Sequence, residues 1–273
     1  MSNPITRYQP GPASASDRSA LSASSYLQAL RKVPEVTAYF WIIKLLTTAM
    51  GETTSDVLVN HINPIIAVAL GGIGLAVALV LQFSARRYVP WIYWLAVVMV
   101  AIFGTMAADV LHIGLGIPYI VSSIFFMVAL AAIFVVWYAS EKTLSIHSIY
   151  TRRREMFYWA TIVTTFALGT AVGDMTASTM GLGYLASGVM FAVLIAVPAL
   201  AYWLLRLNAI FAFWLAYILT RPLGASFADW LGKPHSSSGF GLGTAWVSLG
   251  LTILIVGFVA YLTVTHKDIK HEQ

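Results

Sequence analysis

Cysteine is absent from all 273 residues, which removes disulfides, thiolate metal sites and cysteine nucleophiles and leaves the redox compartment unreadable. Charge is scarce as well: Asp, Glu, Lys and Arg make up 10% of the chain, against about 25% in an ordinary soluble domain. With 59% hydrophobic residues and a mean hydropathy of +0.80, a water-soluble globule is excluded, and so are collagen, coiled-coil and disordered chains. No HExxH, GxSxG, phosphate-binding loop or paired glycine-rich nucleotide signature occurs, so no enzyme is expected. An aspartyl pair sharing a proton is the one enzymatic alternative left open. The N-terminal stretch lacks the short apolar core of a signal peptide, and no cleaved leader is expected.

What the chain has instead is long apolar blocks, each near the ~20 residues that cross a bilayer. They lie at about 37–57, 62–84, 90–111, 117–138, 156–176, 183–205, 208–231 and 241–264. The expected fold is an all-α polytopic membrane protein of eight transmembrane helices in four tandem hairpins. Thirteen of the sixteen Lys and Arg residues fall in the tails and in the loops on the tails' side, including Arg86, Arg87, Lys142, Arg152, Arg153, Arg154 and Arg206. The opposite loops carry only Lys233. Cytoplasmic loops are enriched in basic residues, so both termini are expected in the cytoplasm. Topology therefore accounts for the net charge of +5, and no nucleic-acid partner is inferred.

Residues 1–33, rich in Ser, Pro and Ala, read as a disordered tail with too little apolar surface to offset ordering entropy. Pro34 and Glu35 suit the opening of the first span. Residues 34–138 hold the first two repeats, 139–155 form a cytoplasmic loop, 156–265 hold the other two repeats, and 266–273 form a second tail. Trp91, Trp94 and Trp246 read as interfacial anchors.

A fourfold repeat appears late in each odd-numbered span: residues 51–56 read GETTSD, 104–109 GTMAAD, 169–174 GTAVGD and 224–229 GASFAD. Gly, a small residue four positions on (Ser55, Ala108, Gly173, Ala228) and then Asp recur each time. Outside the tails the chain has only these four Asp residues. Small residues at this spacing let membrane helices approach closely, so the odd helices are expected to pack together and bring their carboxylates to similar depth. Lys44, Thr48, Glu52 and Asp56 continue the first stripe at four-residue spacing, and Tyr217, Arg221, Ala225 and Asp229 the seventh.

Glu52, Asp56, Asp109, Asp174 and Asp229 are the candidate cation ligands, with Lys44 and Arg221 as ion-pair or gating partners, and His61 and His112 as further metal ligands in the outer turns. A charge near a helix centre costs about 2.5–3.5 kcal/mol. These groups must therefore be paired, protonated or wet. The competing reading is that each Asp caps a helix end at the water boundary, although the macrodipole opposes an anion at a helix C-terminus.

The segments KVPEVTAYFWIIKLLTTAMGETTSD and TRPLGASFADWLGKP, with the fourfold Gly-to-Asp repeat, resemble bacterial inner-membrane proteins built from a repeat of unknown function and labelled membrane-anchored protein. That resemblance implies four two-helix repeats and supplies no substrate. From the residues, the leading expectation is a proton-coupled cation transporter, with export of a divalent, manganese-like ion as its concrete form. A passive channel and a structural or sensory protein are the alternatives. The expected partners are the lipid bilayer and the transported ion or proton. No tightly bound cofactor is expected, and a homo-oligomer is left open. The cysteine-free background makes the topology directly testable: Cys at Ala85 or Ser148 should react only from the cytoplasm, and Cys at Ser237 only from outside. A Ser237 site labelled from the cytoplasm would invert this arrangement.

Overall fold

The structure, a computed structural model, describes residues 31–269. The tail expected at 1–33 lies outside the described residues up to residue 30, as do residues 270–273 of the C-terminal tail. Eight long helices follow one another: α1 Ala38–His61, α2 Pro64–Ser84, α3 Pro90–Asp109, α4 Tyr119–Glu141, α5 Arg152–Asp174, α6 Gly183–Leu205, α7 Ala209–Gly232 and α8 Thr244–Thr265. Seven are long and apolar enough to cross a membrane. The exception is α1, whose polar stripe of Lys44, Glu52 and Asp56 lowers its hydropathy.

Turn chemistry sets the starts. Asn63 and Asn208 accept from the first backbone amides of α2 and α7, and Pro64 and Pro90 stand in first turns, where a missing N–H costs nothing. α1 opens at Ala38, capped by Thr37, rather than at Pro34. The cause is lateral: Lys32 N donates to Ile149 O and Glu35 N to Asp268 O, both at 3.0 Å, so this segment bonds to its neighbours instead of coiling. α5 opens at Arg152, inside the expected loop 139–155, with Thr151 accepting from Arg154 N.

The four odd helices close into a ring in the order α1, α3, α5, α7 and back to α1. Each even helix packs outside, chiefly on the odd helix that follows it: α2 on α3, α4 on α5, α6 on α7, and α8 on α1. In the even helices only 17% or 22% of the scored window is buried, against 56% or 67% in α3, α5 and α7. Ile65, Ile73, Phe125, Val193 and Val256 are among the large apolar groups left exposed on the outer faces, which suits helices long and apolar enough to cross a membrane.

The repeat glycines make the ring. A side chain on Gly51 would collide with Ala101, one on Gly104 would lie 2.7 Å from Phe166 Cβ, one on Gly169 would meet Arg221, and one on Gly224 would meet Thr48. Each contact joins the Gly of one helix to the residue eight positions before the Asp of the next. Pro222 packs against Gly169 and Gly173 inside an unbroken α7, so the kink that a proline invites does not break the helix.

Toward the N-terminal end of the ring lies an aromatic layer. Phe40-Trp41, Tyr93-Trp94, Tyr158-Trp159 and Phe213-Trp214 occupy the same repeat positions and contact one another edge-on or tilted. The Tyr93 and Tyr158 hydroxyls hydrogen-bond at 2.5 Å. Trp94, expected at the interface, is 1% exposed within this layer, while Trp91 and Trp246 are exposed.

Below the layer, Lys32 Nζ donates to Glu155 Oε2 at 2.6 Å and Gln82 Nε2 to Glu155 Oε1 at 3.0 Å. Tyr88 OH donates to Asp268; burial pushes the Asp268 carboxyl above its ordinary range, with that hydrogen bond opposing the shift.

Gly224→Val should force α7 away from Thr48 and lower stability by about 1–3 kcal/mol, as overpacking does. Gly250→Val, at a position with open space beside it, should melt like the parent chain in a detergent thermal melt. Equal melts for the two variants would remove the close-packing explanation of the ring.

Candidate cation site

Because the odd helices share one register, their stripes stack into layers along the ring axis. Nearest the aromatic layer stands Lys44, facing Phe166 and Tyr217; next is Arg221; above it come Glu52, Thr105 and Thr170; and the four Asp residues end the stack. Lys44 meets no carboxylate. Its Nζ lies 3.9 Å from the Phe166 ring centre and 4.1 Å from that of Tyr217, and it has no hydrogen-bond partner among the described residues. Aromatic faces attract a cation electrostatically, which replaces the pairing with Glu52 or an Asp expected from the stripe.

Arg221 is fully buried. Its Nη2 donates to Glu52 Oε2 at 2.7 Å, to Thr170 Oγ1 at 2.7 Å and to Thr105 Oγ1. One nitrogen from α7 thus engages α1, α3 and α5. An Nη2 group carries two hydrogens, so one of them is shared between two of these acceptors. Arg221 Nε and Nη1 are buried without a partner among the described residues.

Glu52, Asp174 and Asp229 converge: one carboxylate oxygen from each lies within 4.8 Å of the other two. Asp56 and Asp229, on the adjacent helices α1 and α7, are bridged by Lys233, whose Nζ is 3.8 Å from Asp56 Oδ2 and 2.9 Å from Asp229 Oδ2. Asp229 is 2% exposed, and its Oδ1 has no hydrogen-bond partner among the described residues. Asp109 lies outside the triad, close enough for the charges of Glu52, Asp174 and Asp56 to act on it.

The helices do not end at these acids. α1 runs on to His61 and α7 to Gly232, while α3 and α5 continue as single π-helical turns, Val110–Gly114 and Met175–Thr179. Such turns recur at functional sites. The residues at the N-caps of the even helices are Asn63, Pro118, Leu182 and Gly243, so none of the four Asp residues fills that position.

The histidines are used elsewhere. His61 Nδ1 bonds to Val57 O at 2.8 Å. His112 bonds through Nδ1 to Ile117 O at 2.9 Å and through Nε2 to Ser122 Oγ at 3.2 Å, with its ring 3.9 Å from that of Tyr119. Neither joins the carboxylate triad. The sequence marks Lys233 only for topology; the signals of its role are its place four residues after Asp229 and its standing as the lone Lys or Arg in the loops opposite the tails.

The model of the Repeat of Unknown Function (DUF347) family matches four times, at residues 39–88, 92–143, 157–208 and 212–268. The matches cover more than half of the chain, and the protein belongs to this repeat family. No curated protein and no solved structure matches it.

The Arg221–Glu52 pair is testable by a double-mutant cycle. Breaking a buried pair from one side costs about 3–5 kcal/mol, so Arg221→Met and Glu52→Gln should each destabilise strongly and the double variant should recover much of the loss. Lys44→Met with Glu52→Gln should be closer to additive. Additivity for Arg221 and Glu52, read from melts of all four chains, would count against the pair.

Proposed function

We propose that this chain is a cation transporter of the bacterial inner membrane. In this reading all eight helices span the bilayer, both termini are cytoplasmic and the acid ring faces the outer half. The carboxylates bind a divalent ion of the manganese kind and exchange it for protons, in the direction of export. The observation that carries the proposal is the convergence of Glu52, Asp174 and Asp229 inside the helix ring. The unpartnered, buried Asp229 Oδ1 beside them supports it.

Charge balance supports it too. Five acids stand against Arg221, Lys233 and Lys44 in this stack; with all eight groups ionised, two negative charges are left over. One divalent ion or two protons would neutralise them, which is the arithmetic of an exchanger. A donor set of carboxylate oxygens, with no Cys in the chain and neither His61 nor His112 in the triad, suits Mg, Ca or Mn rather than Cu(I) or Zn. Beneath the triad, Arg221, Phe166 and the aromatic layer fill the ring. A filled axis favours alternating access by rocking helices over a standing pore.

The test is Mn2+ flux into proteoliposomes over a pH series, with folding checked by thermal melting. Flux should be driven uphill by a proton gradient, and it should fall as pH drops through the carboxylate range, because protons compete for the same oxygens. Glu52→Gln, Asp174→Asn and Asp229→Asn should each reduce it at least about tenfold, the loss that even an outer-shell partner of a metal can produce. Asp56→Asn should cost less, since Asp56 stands outside the triad. Parental flux from folded Asp174→Asn and Asp229→Asn, neither of which breaks the Arg221–Glu52 pair, would refute the site. Flux that never runs uphill would leave a channel.

A further inference from the structure

We propose that Lys233 is a tethered counter-ion at the mouth of the acid ring, which an arriving cation must displace; this rests on the cation-site reading above. Lys233 holds Asp229 Oδ2 at 2.9 Å, and Asp229 is also a member of the triad. The ammonium and an incoming divalent ion therefore draw on the same carboxylate. Two cations cannot share it without strong repulsion, least of all where the dielectric is low. Arrival and withdrawal are coupled.

The structure supplies a place to withdraw to. Tyr184 OH lies 3.3 Å from Lys233 Nζ, and the Tyr184 ring centre lies 4.8 Å from it. A hydroxyl and an aromatic face can hold an ammonium that has lost its carboxylates. Only the side chain needs to move, because the backbone is fixed from both sides. Lys233 N donates to Asp229 O and Gly241 N donates to Lys233 O, both at 2.9 Å. Gly239 stands so close to the Lys233 carbonyl that it has no room for a side chain.

The position also breaks the fourfold symmetry. Asn60, Ile113 and Ser178 occupy the equivalent places in the first three repeats, and only the fourth carries a base. The ammonium closes the seam between α7 and α1. Among the described residues no base is in ion-pair contact with Asp109 or Asp174. The opposite side of the ring is thus the open side, where a cation can first settle before it competes for Asp229.

A purely structural cross-link makes the contrary prediction: its loss would loosen the seam and weaken the site. The discriminating measurement is Mn2+ titration calorimetry on the full-length chain in detergent. Lys233→Met should bind Mn2+ about tenfold tighter, an ordinary size for coupling between two bound groups, and Lys233→Arg should bind no tighter than the parent. Asp174→Asn should bind at least tenfold more weakly. Lys233→Gln, which keeps a hydrogen-bond donor for Asp229, is the second variant if the methionine chain does not fold. In it, added methylammonium should compete with Mn2+ and return the affinity toward the parental value, while leaving the parent unaffected. Unchanged or weaker Mn2+ binding by folded Lys233→Met or Lys233→Gln overturns the counter-ion, and Asp174→Asn tells whether the site survives without it. Parental binding by Asp174→Asn overturns the site itself. A Lys233→Gln chain that folds neither with nor without methylammonium shows a structural cross-link instead.

Discussion

Backbone approach at four glycines sets the radius of the inner ring. Without a hydrophobic drive between helices in lipid, association depends on close packing and on bonds between polar groups. Gly51, Gly104, Gly169 and Gly224 each abut the next helix where even a methyl group would collide or crowd. Because every contact uses the same two repeat positions, neighbouring helices are held in one register. The residues one turn above and below are thereby forced toward a common axis. Four Asp residues at one level and an Arg–Glu–Thr cluster beneath them follow from that register rather than from any mutual attraction, since like charges would otherwise separate.

Such crowding has to be offset, and the offset is uneven around the ring. Arg221 draws on Glu52, Thr105 and Thr170, so one guanidinium satisfies polar groups from all three other ring helices. Lys233 closes the seam between α7 and α1. Lys44 is held by two aromatic faces and no anion. Charge is therefore well balanced along α1 and α7 and poorly balanced on α3 and α5. The helices with uncompensated acids are also those that leave the α-helical path in a π-helical turn directly after Asp109 and Asp174. Wider turns at these two places and tighter α-helix at the other two give the outer rim two unlike halves.

How much of this the sequence disclosed follows the range of the interaction involved. Helix positions and the Gly-to-Asp repeat are local patterns, readable from hydropathy and from spacing of four and five residues. The partners of each charge are not local. Nothing in the stripe of α1 says that Phe166 and Tyr217, on α5 and α7, stand beside Lys44, and the nearest acid in sequence was the natural guess. The sequence places Lys32 in the tail and Glu155 at the end of the 139–155 loop, yet they form a buried pair 123 residues apart. The aromatic-Trp pairs also recur at one position in every odd span, but this repeat has no single reading from the sequence alone. Aromatic residues near a span end suit an interface equally well, and only the structure shows that Trp94, Trp159 and Trp214 are buried, each against an aromatic residue of the preceding ring helix.

The order of packing explains why four repeats are needed at once. Each sequence repeat is an odd helix followed by an even one, but in space the even helix lies chiefly on the odd helix of the next repeat, and α8 returns to cover α1. A single repeat thus leaves its own odd helix largely uncovered. Its polar stripe would face lipid, at about 2.5–3.5 kcal/mol for each unpaired charge near a helix centre. Only the closed set of four hides every stripe, and closure between α7 and α1 brings together the two helices that carry the most charge. The seam where the chain meets itself is therefore the place where Glu52, Asp56, Arg221, Asp229 and Lys233 meet, and where the repeats have diverged furthest from one another.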